Sequence, residues 1–208
     1  MLTLESIFQA QNRLRPYVLH TPLLRLPSLD ALLGCQVYVK AECMQLTHSF
    51  KIRGALNRIL QLTPEERAKG VVTASSGNHG RGVAYGAKML GIQATVVIPE
   101  HAPAIKIQAV RDLGANVILC EKPQRFAIAE RLRDEQGLCY VPPFNDYDVM
   151  AGQGPLHWKS SKICRIRMEW LFLWAGAVLP AGLPRLSKAS VRKPGSSPAN
   201  RPGSLVSP

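Results

Sequence analysis

Through the middle of the chain, apolar positions follow two alternating periods. Short β-rich runs at residues 37–40, 70–73, 94–98, 116–119 and 138–141 read as strands. The stretches between them carry apolar residues three and four apart, the spacing of a helix face. Ile52, Ala55, Leu56, Ile59 and Leu60 make one such face. Val83, Ala84, Ala87 and Leu90 make a second, closed by Gly91. Ile105, Ile107, Ala109 and Val110 begin a third before Gly114, and Phe126, Ile128, Ala129 and Leu132 a fourth before Gly137. Glycine just past each helix suits the left-handed closing residue. Residues 3–15 read as a separate amphipathic helix stopped by Pro16. Strands alternating with helices predict an α/β fold: a parallel sheet with helices on both faces. No internal repeat is visible.

Charge divides the chain. Lys and Arg number 26 against 14 Asp and Glu, a formal net charge of +12. Residues 1–154 carry 17 basic and 13 acidic side chains, whereas residues 155–208 carry nine and one. All three Trp and seven of the 16 Pro also fall in the second stretch, so a boundary is expected at 154/155. The basic excess invites a nucleic-acid reading, but residues 155–208 hold no nucleic-acid motif and no sustained helical or strand period. Disorder with an apolar patch at 170–173 is expected there instead. The longest apolar run, 170–184, is broken by Gly176, Pro180 and Gly182, so no membrane span is expected. The start of the chain lacks a basic stretch followed by an apolar core, so no signal peptide is expected. Five scattered cysteines form no C-x-x-C pair, which fits reduced thiols and a cytoplasmic location.

Two stretches depart from what packing alone asks. Ala74-Ser75-Ser76-Gly77-Asn78-His79-Gly80 joins a strand directly to a helix. Small residues there leave backbone N–H groups at a helix start, suited to a carboxylate or phosphate; the same residues also serve as an ordinary N-cap turn. Thr47-His48-Ser49-Phe50-Lys51-Ile52-Arg53-Gly54-Ala55 contains a lysine near a helix start. Lys51 is open to two readings, a solvated charge or a desolvated amine able to form a Schiff base. His20 and His48 have no second ligand at metal spacing and read as structural, and no metal site is expected. Lys88, Lys106 and Arg111 read as solvated charges.

Taken together, Ser49-Phe50-Lys51-Ile52-Arg53-Gly54-Ala55 and Ser75-Ser76-Gly77-Asn78-His79-Gly80 resemble the fold type II pyridoxal-phosphate enzymes. Within them the similarity is to the threonine/serine dehydratase and serine racemase branch. His20-Thr21-Pro22-Leu23, Lys40-Ala41-Glu42 and Ala151-Gly152-Gln153-Gly154 extend the likeness over about residues 19–154. The resemblance implies the small α/β domain and the start of the large one, with pyridoxal 5'-phosphate as cofactor. It implies that Lys51 bonds the cofactor and acts as base at the substrate Cα. Phe50 would pack on a ring face and Asn78 would bond the ring 3-hydroxyl. Ser75, Ser76, Gly77, Asn78 and His79 would hold the substrate carboxylate, and Ser76 would carry a proton in a racemase. The implied reaction converts a 3-hydroxy amino acid into a 2-oxo acid and ammonia. This truncated chain is expected to retain the cofactor weakly or not at all and to be weakly active or inactive. A serine racemase-like isomerase and a non-catalytic remnant acting by interaction are the alternatives. The implied partner is a small amino acid, with homo-oligomers among full-length relatives and self-association of this chain.

After Gly154 the family pattern should continue Thr-Ile-Ala-Leu-Glu and reach a tetraglycine loop that cradles phosphate; this chain does neither. Read one base earlier, the codons of His157-Trp158-Lys159 must encode Leu-Glu, and those of residues 172–178 can encode Pro-Val followed by four glycines. Residues 155–208 are therefore expected to derive from a shifted reading frame of a truncated protein.

Overall fold

The computed structural model describes residues 1–34 and 36–156. Thr3 caps helix α1 (Leu4–Leu14), its hydroxyl accepting from the Ser6 amide while Ser6 returns a bond to Thr3. Strand β1 (Leu23–Arg25), helix α2 (Pro27–Leu33) and strand β2 (Tyr38–Lys40) follow. The run expected at 37–40 does form a strand, but not in the parallel sheet. It pairs antiparallel with β1 in a two-stranded ladder, Leu23 opposite Lys40. Asp30 makes that ladder possible by taking Arg25 Nε at 2.7 Å and the Val37 amide at 2.5 Å, which draws the ends of the α2 connection together.

A short 3₁₀ turn (Glu42–Met44) leads to α3 (Lys51–Ile59) and α4 (Pro64–Lys69). Thr63 and Glu66 close a reciprocal capping box on α4, a helix that apolar spacing does not announce. The parallel sheet then begins: β3 (Val71–Ala74), α5 (Asn78–Met89), β4 (Ala94–Pro99), α6 (Ala104–Arg111), β5 (Asn116–Cys120), α7 (Arg125–Gln136) and β6 (Cys139–Tyr140). Helix α8 (Tyr147–Gln153) closes the described fold. Spatial order in the sheet is β5-β4-β3-β6, all parallel. Gly91, Gly114 and Gly137 all sit at positive φ just past their helices.

Alternate strand residues feed two cores. Val71, Val96 and Ile98 pack with Ala55, Ile59, Val83, Ala87, Ile107 and Val110 from α3, α5 and α6. Val72, Ala74 and Val97 face the other way and pack with Ala129 and Leu132 of α7. Both faces of the sheet are therefore covered. On the third helix the expected face is narrower than its apolar residues suggest: Ile107 and Val110 are buried, but Ile105 is 79% exposed. Ile105 precedes Ile107 by two positions, about 200° around a helix, and so points outward.

The crossovers place the site. The chain leaves β3 through α5 towards β4, then returns through α7 on the opposite face to reach β6 on the other side of β3. Strand order reverses between β3 and β6, and the carboxyl ends of strands flanking such a reversal form a crevice. Residues 75–77 leave one of those ends and residues 141–143 leave the other.

The expected boundary at 154/155 lies at the edge of the described residues. The disorder and the apolar patch at 170–173 expected from the sequence fall on residues outside those described.

Candidate active site

Lys51 opens α3 and is 9% exposed. Its Nζ donates to the Pro143 carbonyl at 3.1 Å and lies 5.4 Å from the centroid of the half-buried Phe50 ring. Burial lowers the amine below the ordinary lysine range. The solvated reading of Lys51 thus gives way to the desolvated one.

The second stretch lies against the first. Helices α3 and α5 pack so closely that a Cβ on Gly82 would come within 3.2 Å of the Ile52 backbone and 3.3 Å of Lys51 C. Ser75, Ser76 and Gly77 are half-buried between β3 and α5, while Asn78 is exposed as the first residue of α5. Ser75 Oγ accepts from the Gly77 amide at 3.3 Å. The first amides of the 12-residue helix α5 have no intrahelical acceptor and stand at the positive end of its dipole. An anion fits there.

His79 is buried, and its Nε2 lies 3.1 Å from the Val141 carbonyl. A carbonyl only accepts, so Nε2 carries the proton and Nδ1 is the acceptor. Nδ1 is buried without a hydrogen-bond partner. Burial pushes the imidazole down to about 4, against the Val141 bond and with help from the Lys51 charge. The imidazole is therefore neutral near pH 7, and what His79 can offer an anion is its backbone N–H.

Behind the amine, a charged cluster fixes α3 to the N-terminal segment. Arg53 grips both Glu42 oxygens, Nε at 2.8 Å and Nη2 at 2.9 Å, and donates to the Leu19 carbonyl at 3.0 Å. Thr21 Oγ1 donates to Glu42 at 2.5 Å and accepts from Lys40. Burial alone would raise the Glu42 carboxyl, but Arg53, Thr21 and Lys40 outweigh it and hold it below the usual carboxylate range. Thr21, Lys40 and Glu42 thus serve this packing, while His20 is exposed. On the far side of α3 a Cβ on Gly152 would meet Arg53 O at 2.5 Å, so the motif at 151–154 is a close helix crossing.

Sequence reasoning named Lys51, Phe50 and the 75–79 loop, and these come together. It missed Thr73, Val141 and Pro143, and the buried hydroxyls Thr47 Oγ1 and Ser49 Oγ, which have no partner. The Pro142-Pro143 pair after a strand was the one available signal for the crevice's second wall. His48 stays at the surface at φ 56°, its Nδ1 3.3 Å from Cys43 O.

A family profile described as "Pyridoxal-phosphate dependent enzyme" matches residues 14–158. The chain belongs to this pyridoxal-phosphate dependent family. It is 46% identical over 158 residues to an L-threonine ammonia-lyase of Thermotoga maritima, covering 75% of this chain and 39% of that protein. It is 45% identical over 153 residues to a serine racemase of Oryza sativa subsp. indica, covering 73% of this chain and 45% of that one. The structure of maize serine racemase superposes with a TM-score of 0.75 at 38% identity, covering 79% of this chain and 50% of the other. The chain thus spans less than half the length of these two curated relatives. Within the pyridoxal-phosphate dependent family, the buried Lys51 amine fits the aldehyde of the cofactor, and the unpaired first amides of α5 fit a carboxylate. Among the described residues no helix is long and apolar enough to cross a membrane.

Proposed function

We propose that residues 1–154 form the small α/β domain and the start of the large domain of an ammonia-lyase of the threonine/serine dehydratase type. The substrate is a 3-hydroxy amino acid and the products are a 2-oxo acid and ammonia. One observation carries the reading: at the strand-order reversal the buried Lys51 amine rests on Pro143 O at 3.1 Å, two residues from Val141 O, which His79 of the 75–79 loop meets at 3.1 Å.

Pyridoxal phosphate, when bound, supplies an aldehyde for amines and an electron sink for the pair left at Cα. The residues then divide the work. Lys51, its amine lowered by burial, takes the proton from the substrate Cα. The half-buried Ser75 and Ser76 hydroxyls and the first amides of α5 hold the substrate carboxylate and so orient the Cα–H bond. Phe50 offers an apolar face beside the amine, and Asn78 offers an amide donor at the mouth of the site. The crevice excludes water from the amine on the side of Val141 and Pro143. The β-hydroxyl leaves as water, and a second water releases ammonia from the unsaturated product, so the overall reaction is water-neutral.

The test is reductive trapping. The full chain is treated with pyridoxal phosphate and cyanoborohydride, and labelled peptides are identified by mass spectrometry. Lys51 is expected to carry most of the label, ahead of the exposed Lys88 and Lys106. Equal labelling of all three would overturn the reading. Threonine and serine are then assayed for 2-oxo acid release.

Ser76, half-buried on the same loop, favours a second reading in which its hydroxyl hands a proton to the other face of Cα. D-serine formation exceeding pyruvate formation would establish that isomerase. A folded remnant acting only by interaction would label at Lys51 yet release no 2-oxo acid. Residues 155–208 are read as a shifted frame of a truncated coding sequence; a nucleotide sequence without a tetraglycine run in the alternative frame rejects this. A cytoplasmic location belongs to the same proposal.

A further inference from the structure

Val141 is saturated. Its N–H donates to Val72 O at 2.9 Å, continuing the ladder beyond β6. Its carbonyl accepts from Thr73 Oγ1 at 2.7 Å and from His79 Nε2 at 3.1 Å. A carbonyl oxygen has two lone pairs, and both are engaged by donors that are themselves buried. Two residues further on, the Pro143 carbonyl receives Lys51 Nζ.

The link between these carbonyls is stiff. Proline rings fix φ at 142 and 143, and a residue before proline is confined to extended conformations. Few torsions remain between Val141 O and Pro143 O, so an orientation set at the first is transmitted to the second. Thr73 is the third residue of β3 and His79 the second of α5, either side of the loop at 75–77. The two donors on Val141 therefore tie both ends of the loop to the strap on which the amine rests.

We propose that His79 is a positioning residue for Lys51. By donating from Nε2 to Val141 O, it locks the 141–143 strap and sets the Pro143 carbonyl under the amine. The proposal rests on the functional reading above, in which Lys51 is the reacting amine. It gives a role in the reaction to an imidazole that is buried and bonded to Val141 O. It also accounts for an unpaired Nδ1 in the core: donation through Nε2 leaves the other nitrogen as an acceptor with nothing to accept.

The trapping reaction with pyridoxal phosphate separates this role from a structural one. The quantity read is the Lys51 label divided by the Lys106 label in folded full-length chain, with folding checked by circular dichroism. His79→Leu removes the donor and is expected to lower the ratio about tenfold, since small misplacements of a reacting group cost rates of this order. His79→Gln puts an amide N–H near the position of Nε2 and is expected to restore the ratio to within about threefold of the unsubstituted chain. An unchanged ratio in folded His79→Leu, or a Gln variant as poor as Leu, overturns the proposal. Should His79→Leu fail to fold, Thr73→Val decides by removing the other bond on the same carbonyl. A fall in its ratio supports the strap, and a ratio equal to the unsubstituted chain rejects it. If Lys51 is not preferentially labelled even without substitution, the functional reading itself has failed. Preferential labelling that is indifferent to positions 79 and 73 removes only this inference.

Discussion

At the scale of single residues, His79 makes the chain sensitive to acid. Its imidazole titrates near 4 when folded, against an ordinary value of 6.5. Below about pH 6.5 the unfolded chain takes up a proton that the folded chain refuses. Stability is therefore intact above that pH and drains away as the pH falls towards 4, by up to about 3 kcal/mol. Urea unfolding at pH 7 and pH 4.5 should show this loss, and His79→Gln should show a smaller one. Equal losses in the two proteins would contradict it. Lys51 was legible in the sequence as a candidate, but its burial was not. Spacing identifies a helix face and says nothing of what covers it, and here Arg53 and Asn57, one turn apart, are also buried. Asn57 reads as a surface residue until its bonds to Arg13 at 2.7 Å and the Asp148 carbonyl at 2.7 Å are known.

At the scale of elements, helix–helix distance is set by missing side chains. A Cβ on Gly152 would lie 2.6 Å from Asn57 Cβ and 2.9 Å from Gly54 Cα, and one on Gly54 would lie 2.7 Å from Val149 O. These obstacles include backbone, which cannot swing aside. Gly152→Ala should force α3 and α8 apart and cost about 3 kcal/mol, as overpacking of a tight interior does. The midpoint of urea unfolding measures it, and a change within about 0.5 kcal/mol, typical of a surface site, would refute the close crossing. The strands and helices from β3 to β6 were readable because each buries a face with its own period. The strand at 37–40 was readable as a strand but not by partner. Three residues carry no information about whether they pair with a local antiparallel neighbour or a distant parallel one. Helix α4 was missed despite the sequence Thr63-Pro64-Glu65-Glu66, since its caps rather than an apolar face define it.

At the scale of the whole molecule, the site proposed within the described residues consists of a buried amine and the unpaired first amides of α5. The functional reading assigns those amides to the substrate carboxylate, so a cofactor phosphate gains little from them. Pyridoxal and pyridoxal phosphate at equal concentration should raise the melting temperature by similar, small amounts, because stabilisation follows ligand affinity. A shift several degrees larger for the phosphate ester would show a phosphate site beyond the 75–79 loop. The fold class and the meeting of residues 51 and 75–79 were both anticipated from motif and order. The wall at 141–143 was not, because its contribution is made by carbonyl oxygens, which every residue type carries alike.

The alternation along β3 has a consequence for how this fold tolerates change in length. Val71 and Val72 belong to opposite cores, and the Ser75 loop begins one residue after the strand ends. Inserting a single residue within 71–74 would exchange the two cores' side chains and turn Ser75 and Thr73 inside out together. Inserting two would keep each side chain on its face and slide the loop about 7 Å along the sheet. Odd and even insertions in this strand should thus fail differently, the first by not folding and the second by folding around a displaced site.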